Sequence, residues 1–139
     1  MTNRRWMMAT SIAVALLAGI WGIGSSSAQA PAGFKRTELQ RHDLAAPGRE
    51  VVVARGEFQP GAATPKHTHP GDEISYVLEG EIVVEVDGKP AMTLKAGDSF
   101  FIAAGDVHMA KQAGKKQAVV LSTYVVEKGK PLATPVAAK

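Results

Sequence analysis

The chain has 139 residues, no cysteine and a formal net charge of +3. Without cysteine, disulfides are excluded, and a domain of this size must be stabilised by its core, a subunit interface, a metal or a combination of these. The 16 basic and 13 acidic residues nearly balance. No basic patch is interleaved with aromatic residues, which argues against nucleic acid as a partner.

Residues 1–30 have the pattern of an export signal. An adjacent pair of arginines begins the segment, an uncharged and mostly apolar run covers residues 7–23, and small residues follow. We predict cleavage after either Ala28 or Ala30, and a periplasmic or secreted mature protein without stable membrane association. An uncleaved membrane anchor is the alternative, but the apolar run is short for a membrane span. The arginine pair fits a twin-arginine signal about as well as an ordinary one, so the export route stays open.

The remainder of the chain reads as β-structure in one small domain, residues 31–127. Short runs rich in β-branched residues alternate with glycine- and proline-containing turns about every ten residues. We predict strands at 50–58, 73–78, 81–86, 92–94, 99–102 and 117–126. The pattern is typical of an all-β sandwich or barrel.

The two ends of this domain have weaker signals. Residues 31–36 read as an exposed lead-in. The domain has no convincing helical period, and its best candidate, Thr37–Leu44, is short. The tail, residues 128–139, contains two prolines and several small residues, and we predict that it is irregular.

The most informative segment contains His67, His69 and Glu73. Alternate residues of an extended strand point to the same face, so the two imidazoles can meet at one point in space. Neutral imidazole suits divalent Zn, Cu, Fe or Ni. The alternatives are exposed loop histidines beside prolines and a surface carboxylate at Glu73. His108 alone fits an ordinary turn histidine, and His42, in a polar stretch, is predicted to face solvent.

Other side chains receive structural interpretations. Tyr76 could donate a proton in a site, but packing is the simpler role for a strand tyrosine. The acidic residues of the hairpin region are predicted to form a solvated face. Five large apolar residues are predicted to belong to the core: Met92, Phe100, Phe101, Ile102 and Met109.

Residues 61–80 have the spacing G-x5-H-x-H-x3-E-x6-G, which resembles the first motif of the cupin superfamily. Residues 97–112 resemble the second motif, with Ala103 where the family usually has proline and Gln112 where it usually has asparagine. The resemblance covers most of residues 51–126. The chain is similar to small single-domain bacterial cupins of the quercetinase-like type.

This resemblance implies a single double-stranded β-helix, or jelly-roll barrel, with His67, His69, Glu73 and His108 holding one divalent ion inside it. The ion would be Fe, Mn, Ni, Cu or Zn, and an octahedral ion would keep two positions for water, substrate or oxygen. The implied function is a metal-dependent dioxygenase acting on a small oxygen-chelating molecule, with Glu73 as a ligand that could also act as a base. A binding module without turnover is the alternative, and a homodimer is expected from the family.

Overall fold

The computed structural model describes residues 32–137, so the predicted export signal lies outside the described residues. Ten strands and no helix are present in this part of the chain. The strands are β1 (Phe34–Asp43), β2 (Arg49–Phe58), β3 (His67–Thr68), β4 (Gly71–Glu79), β5 (Glu81–Val86), β6 (Met92–Lys95), β7 (Ser99–Ile102), β8 (His108–Ala113), β9 (Ala118–Glu127) and β10 (Thr134–Pro135). Within residues 32–137, no helix is long and apolar enough to cross a membrane.

The strands form two antiparallel five-stranded sheets, in the orders β1-β2-β9-β4-β7 and β10-β3-β8-β5-β6. Strands that are neighbours in sequence lie in different sheets at several points, which is the Greek-key connectivity of a jelly roll. The predicted all-β jelly-roll fold is therefore confirmed.

The main core lies between the two sheets. Ile82 and Val84 of β5 pack against Val77 of β4 and Val120 of β9, and all four side chains are buried. These residues come from strands whose side chains alternate between buried and more exposed, as expected when one face of each sheet meets the core. The same alternation directs polar residues at other positions of these strands into the interior, where they form the site described below.

One of the predicted core residues, Phe101, was placed wrongly. Its side chain is 57% exposed, whereas Ile102 is buried and Phe100 packs against the core. Successive strand residues point to opposite faces, so neighbouring residues of β7 cannot all face inward. Phe101 pairs with Ile74 of β4 on the outer face. Tyr76, predicted to pack, is on that face as well and is 46% exposed.

The segment predicted as an exposed lead-in followed by a helical candidate is instead the long edge strand β1. It pairs with β2 along its whole length, apart from a bulge between Glu38 and Gln40. Backbone pairing stabilises an edge strand without requiring alternating burial, and most of β1 is exposed. Phe34 and Thr37 are the exceptions, and the ring centroid of Phe34 lies 4.6 Å from that of Phe58.

Residues 128–137, here called the C-terminal strap, follow β9 of one sheet and reach β3 of the other. They are irregular except for β10, which pairs with β3. The amide of Val136 donates to the carbonyl of Lys66 at 2.9 Å, and Leu132 packs against a small buried cluster around Val52 and Tyr124. The strap is therefore attached to the strand that carries His67.

Gly71 allows the closest approach between β4 and β9. A Cβ atom at this position would lie 2.0 Å from the carbonyl oxygen of Val125 and 2.6 Å from the Cα atom of Val126. Such distances cannot be accommodated without moving the backbone. Glycine at this position therefore sets where β4 enters the sheet, two residues before Glu73.

Candidate metal centre

Three of the four histidines meet inside the barrel. His67 is the first residue of β3, His69 lies in the short connection to β4, and His108 begins β8, where it pairs with His67. One ring nitrogen from each lies within 4.8 Å of the others, and the exposed fractions of the three residues are 9%, 3% and 3%. The fourth histidine, His42, is exposed on β1, as predicted.

The backbone holds all three imidazoles in the same tautomer. Each Nδ1 atom lies at hydrogen-bond distance from a backbone carbonyl, and a carbonyl can only accept, so Nδ1 must donate. The carbonyls belong to Pro65 (2.8 Å from His67), Leu132 (2.5 Å from His69) and Asp106 (2.9 Å from His108). In a neutral imidazole this leaves the lone pair on Nε2, the atom that faces the cavity. A hydrogen-bonded Nδ1 is the usual support of a metal-ligating histidine.

Glu73 reaches the same point from β4. Its Oε2 atom lies 3.0 Å from Nε2 of His69 and 3.5 Å from Nε2 of His108. Its Oε1 atom accepts hydrogen bonds from the hydroxyls of Ser75 at 2.6 Å and Ser122 at 3.0 Å. The sequence left open which face of the strand carries Glu73, and the structure places it inward with Ser75. One carboxylate oxygen is thus held by serines while the other faces the histidines.

The contact between Glu73 and His69 tests whether a cation fits this site. Nε2 of His69 is buried and has no hydrogen-bond partner within residues 32–137, although Oε2 of Glu73 is 3.0 Å away. With the proton on Nδ1, this contact brings two lone pairs together, which is unfavourable unless a cation lies beside them. Two ligands about 2.1 Å from one ion are about 3 Å apart when they meet at a right angle. The donor set and its spacing therefore fit a divalent metal ion.

The protonation equilibria also favour ligand forms at two of the positions. Burial, reinforced by the neighbouring His108 and His69, lowers the pKa of His67 to about 4. Burial would raise the pKa of Glu73, but its close contacts with His108 and His69 and the hydrogen bond from Ser75 outweigh burial and hold that pKa far below its usual range. Burial would lower the pKa of His108, but the interaction with Glu73 raises it instead. Near neutral pH, His67 is neutral and Glu73 is ionised.

The cluster opens into a cavity of about 510 Å³ between the two sheets. His67, His108 and Glu73 line its polar end, beside Ser122 and Tyr124. Apolar side chains from both sheets form most of the remaining wall. They are Phe34, Phe58, Ile82, Val84, Phe100 and Val120. A volume of this size is typical of sites for small organic molecules.

Several supporting groups were missed at the sequence level. Tyr124 is 5% exposed, and its ring centroid lies 4.7 Å from that of His69. Burial, with the charge of Glu73, raises the pKa of its hydroxyl above the usual range. Ser122 and Tyr124 are alternate residues of β9 and lie opposite Ser75 and Glu73. The sequence signal that could have identified Ser122 and Tyr124 is their position as alternate polar residues in a largely apolar strand.

The two motif regions are joined by Gln112. Its Oε1 atom accepts a hydrogen bond from the amide of Gly61 at 2.9 Å, and its Nε2 atom donates to the carbonyl of Lys116 at 2.6 Å. The residue is 9% exposed. Glutamine replaces the usual asparagine at this position. Its longer amide side chain holds the loop before His67 against β8.

A family model described as a cupin domain matches residues 54–124. The chain belongs to the cupin family. Among curated proteins, this cupin is 39% identical over 79 residues to germin-like protein subfamily 2 member 2 of Arabidopsis thaliana, covering 53% of this chain and 36% of that protein. It is 33% identical over 79 residues to the rhicadhesin receptor of Pisum sativum, with the same coverages. The chain thus spans little more than a third of the length of these relatives.

Solved structures give the same assignment. An oxalate oxidase in complex with the substrate analogue glycolate superposes with a TM-score of 0.61 at 29% identity, covering 75% of this chain and 55% of that one. A cupin-like protein from Thermotoga maritima superposes with a TM-score of 0.64 at 26% identity, covering 81% and 83% of the two chains.

Proposed function

We propose that this cupin holds one divalent transition-metal ion through His67, His69, Glu73 and His108, and acts as a metal-dependent oxidoreductase of the dioxygenase type. The observation that carries the proposal is the convergence of three imidazole nitrogens and a carboxylate oxygen at one buried point, including the otherwise unpartnered Nε2 of His69. The substrate class is a small organic molecule that chelates through oxygen, as in quercetinase-like cupins. The export-signal pattern of residues 1–30 supports a periplasmic or secreted site of action.

A first-row ion bound there would supply Lewis acidity and, if redox-active, reactivity towards oxygen. The chain supplies the surroundings. Ser75 and Ser122 restrain Oε1 of Glu73, so that the carboxylate keeps one orientation. The lowered pKa of Glu73 favours its role as a ligand over that of a base, because such a carboxylate is a poor proton acceptor. The apolar walls exclude water from the space in which a substrate would lie.

The relatives support two functional classes. The oxalate oxidase neighbour is by its name an oxidoreductase, which supports turnover at the site of this chain. The rhicadhesin receptor is by its name a binding protein, which favours a second candidate, a metal-holding or ligand-binding module without turnover. One fold accommodates both, so the choice depends on the metal and on its reactivity.

The test begins with elemental analysis of the protein purified from its native compartment. We expect about one redox-active ion per chain. In a second measurement, the metal-containing protein should take up oxygen when flavonols or other enediols are added. His69→Ala should lose the metal, whereas His42→Ala, a matched change on the exposed face of β1, should keep it. Full occupancy in His69→Ala would overturn the four-ligand site. Zinc without oxygen uptake would favour the binding module.

We also propose a homodimer. The outer face of the sheet that contains β4 and β7 exposes a group of large apolar side chains, between 41% and 57% exposed in the single chain: Ile74, Tyr76, Leu78 and Phe101. Contiguous apolar surface of this kind is typical of a protein–protein interface. Light scattering at micromolar concentration is expected to give the mass of two chains, and a monomer would contradict this proposal.

A further inference from the structure

We propose that the cavity takes an organic acid with an apolar body, whose oxygen donors face the metal site and whose anionic group binds Arg36. This inference rests on the proposed function and deepens it by naming the substrate class. Arg36 lies on β1, outside the stretch matched by the cupin family model, residues 54–124. The family model therefore does not include this residue.

The strand register directs Arg36 towards the cavity. Arg36 is paired with Gly56 of β2, and directly opposed residues of an antiparallel pair project from the same face of the sheet. That face is the inner one, because Ala54 and Phe58 on either side of Gly56 are buried. Gly56 has no side chain, and the rings of Phe34 and Phe58 border the space above it. Arg36 accordingly lines the cavity together with His67, Glu73 and His108.

Arg36 is exposed, and no carboxylate within residues 32–137 forms an ion pair with it. Arg41 on the same strand, in contrast, pairs with Glu38 and Glu50. Arg36 influences the polar end of the cavity. Burial and Glu73 raise the pKa of Tyr124, and Arg36 acts in the opposite direction. A guanidinium on the wall of a partly apolar cavity is a strong binder of carboxylate, which it can contact through two parallel hydrogen bonds.

The size of the cavity and the spacing of its polar groups favour an acid with a body over a very small one. The cavity of about 510 Å³ lies in the range that holds ligands of drug-like size. Arg36 lies on β1, whereas Glu73 lies on β4, three strand intervals or about 14 Å away in the same sheet, and His67 and His108 lie in the other sheet. A ligand that reaches both the metal-binding histidines and Arg36 therefore needs a body between its two polar ends. The phenylalanine and aliphatic side chains between these ends favour an apolar or aromatic one.

The test compares three probes by calorimetry on the metal-loaded full chain. Catechol carries only the chelating group, while 3,4-dihydroxybenzoate and 3-(3,4-dihydroxyphenyl)propanoate add a carboxylate at two distances. We expect at least one acid to bind about tenfold or more tightly than catechol. Arg36→Gln should remove this preference while catechol binding and metal content remain. Arg49→Gln, the same change of charge at an exposed end of β2 away from the cavity, should keep it.

Each result is decisive. Acids that bind no better than catechol to the wild-type protein, or a preference that survives in Arg36→Gln, would overturn the inference. A metal-loaded protein that binds none of the three probes would also overturn it. In each of these outcomes the wild-type protein still holds metal. If the proposed function itself fails, the wild-type protein holds no metal, so the two failures are distinguishable.

Discussion

Removing the C-terminal strap should weaken metal binding although it removes none of the four proposed ligands. A chain ending at Lys130 lacks the carbonyl of Leu132, which accepts the Nδ1 proton of His69 at 2.5 Å. It also lacks β10, which pairs with the strand carrying His67. Loss of a hydrogen-bond partner of a ligating histidine typically costs tenfold to a hundredfold in metal affinity, about 1.4–2.8 kcal/mol. Because two histidines lose support here, we expect the hundredfold end of this range.

The assay is a competition titration against a chelator of known affinity, at constant pH. The matched control is a chain ending at Val136, which keeps both the Leu132 carbonyl and β10 and should bind as the full chain does. Leu132→Ala keeps the carbonyl but loses side-chain packing, so it separates the two contributions. Circular dichroism establishes that each variant is folded. A folded chain ending at Lys130 with a Kd within twofold of the full-length value would refute the reasoning.

Three further predictions concern the ligands, pH and the backbone. His67→Ala and His108→Ala should each lose bound metal by elemental analysis, and His42→Ala should not; full occupancy in all three would contradict the site. In metal-free protein, the pKa of His67 is about 4 when folded and about 6.5 when unfolded, so stability should fall as the pH decreases through this interval, by at most about 3 kcal/mol. The free energy of unfolding of His67→Gln, measured by urea denaturation, should depend less on pH than that of the wild-type protein. An equal pH dependence of the two proteins would contradict the assignment to His67. Gly71→Ala should lower the free energy of unfolding by about 3 kcal/mol or more, because its Cβ meets the β9 backbone. Gly105 has a φ of +77° but open space around it, so Gly105→Ala should lower the free energy of unfolding by only about 1 kcal/mol. Equal losses of stability in the two variants would contradict the steric argument.

The strands that form the core were predictable because their signals are local. Alternation in β5 and the runs in β2 and β9 reflect one face meeting the core, and the glycine-containing turns divide them. Strand β1 lacks such a signal, since an edge strand held by backbone hydrogen bonds needs little apolar surface. Its polar sequence therefore supported a lead-in, which is exposed as predicted but belongs to a strand, and the short helical candidate at Thr37–Leu44 is part of the same strand.

The sequence by itself determined the fold class and the residues that meet in the site, because the two motifs place histidines and a glutamate at spacings that a strand, a turn and a second strand convert into one cluster. The tertiary structure alone decided what supports them. Ser122 reaches Glu73, Leu132 reaches His69 and Arg36 reaches the cavity across sequence separations that no local pattern encodes. These contacts depend on strand register and on the path of the strap, which the packing of the whole barrel sets.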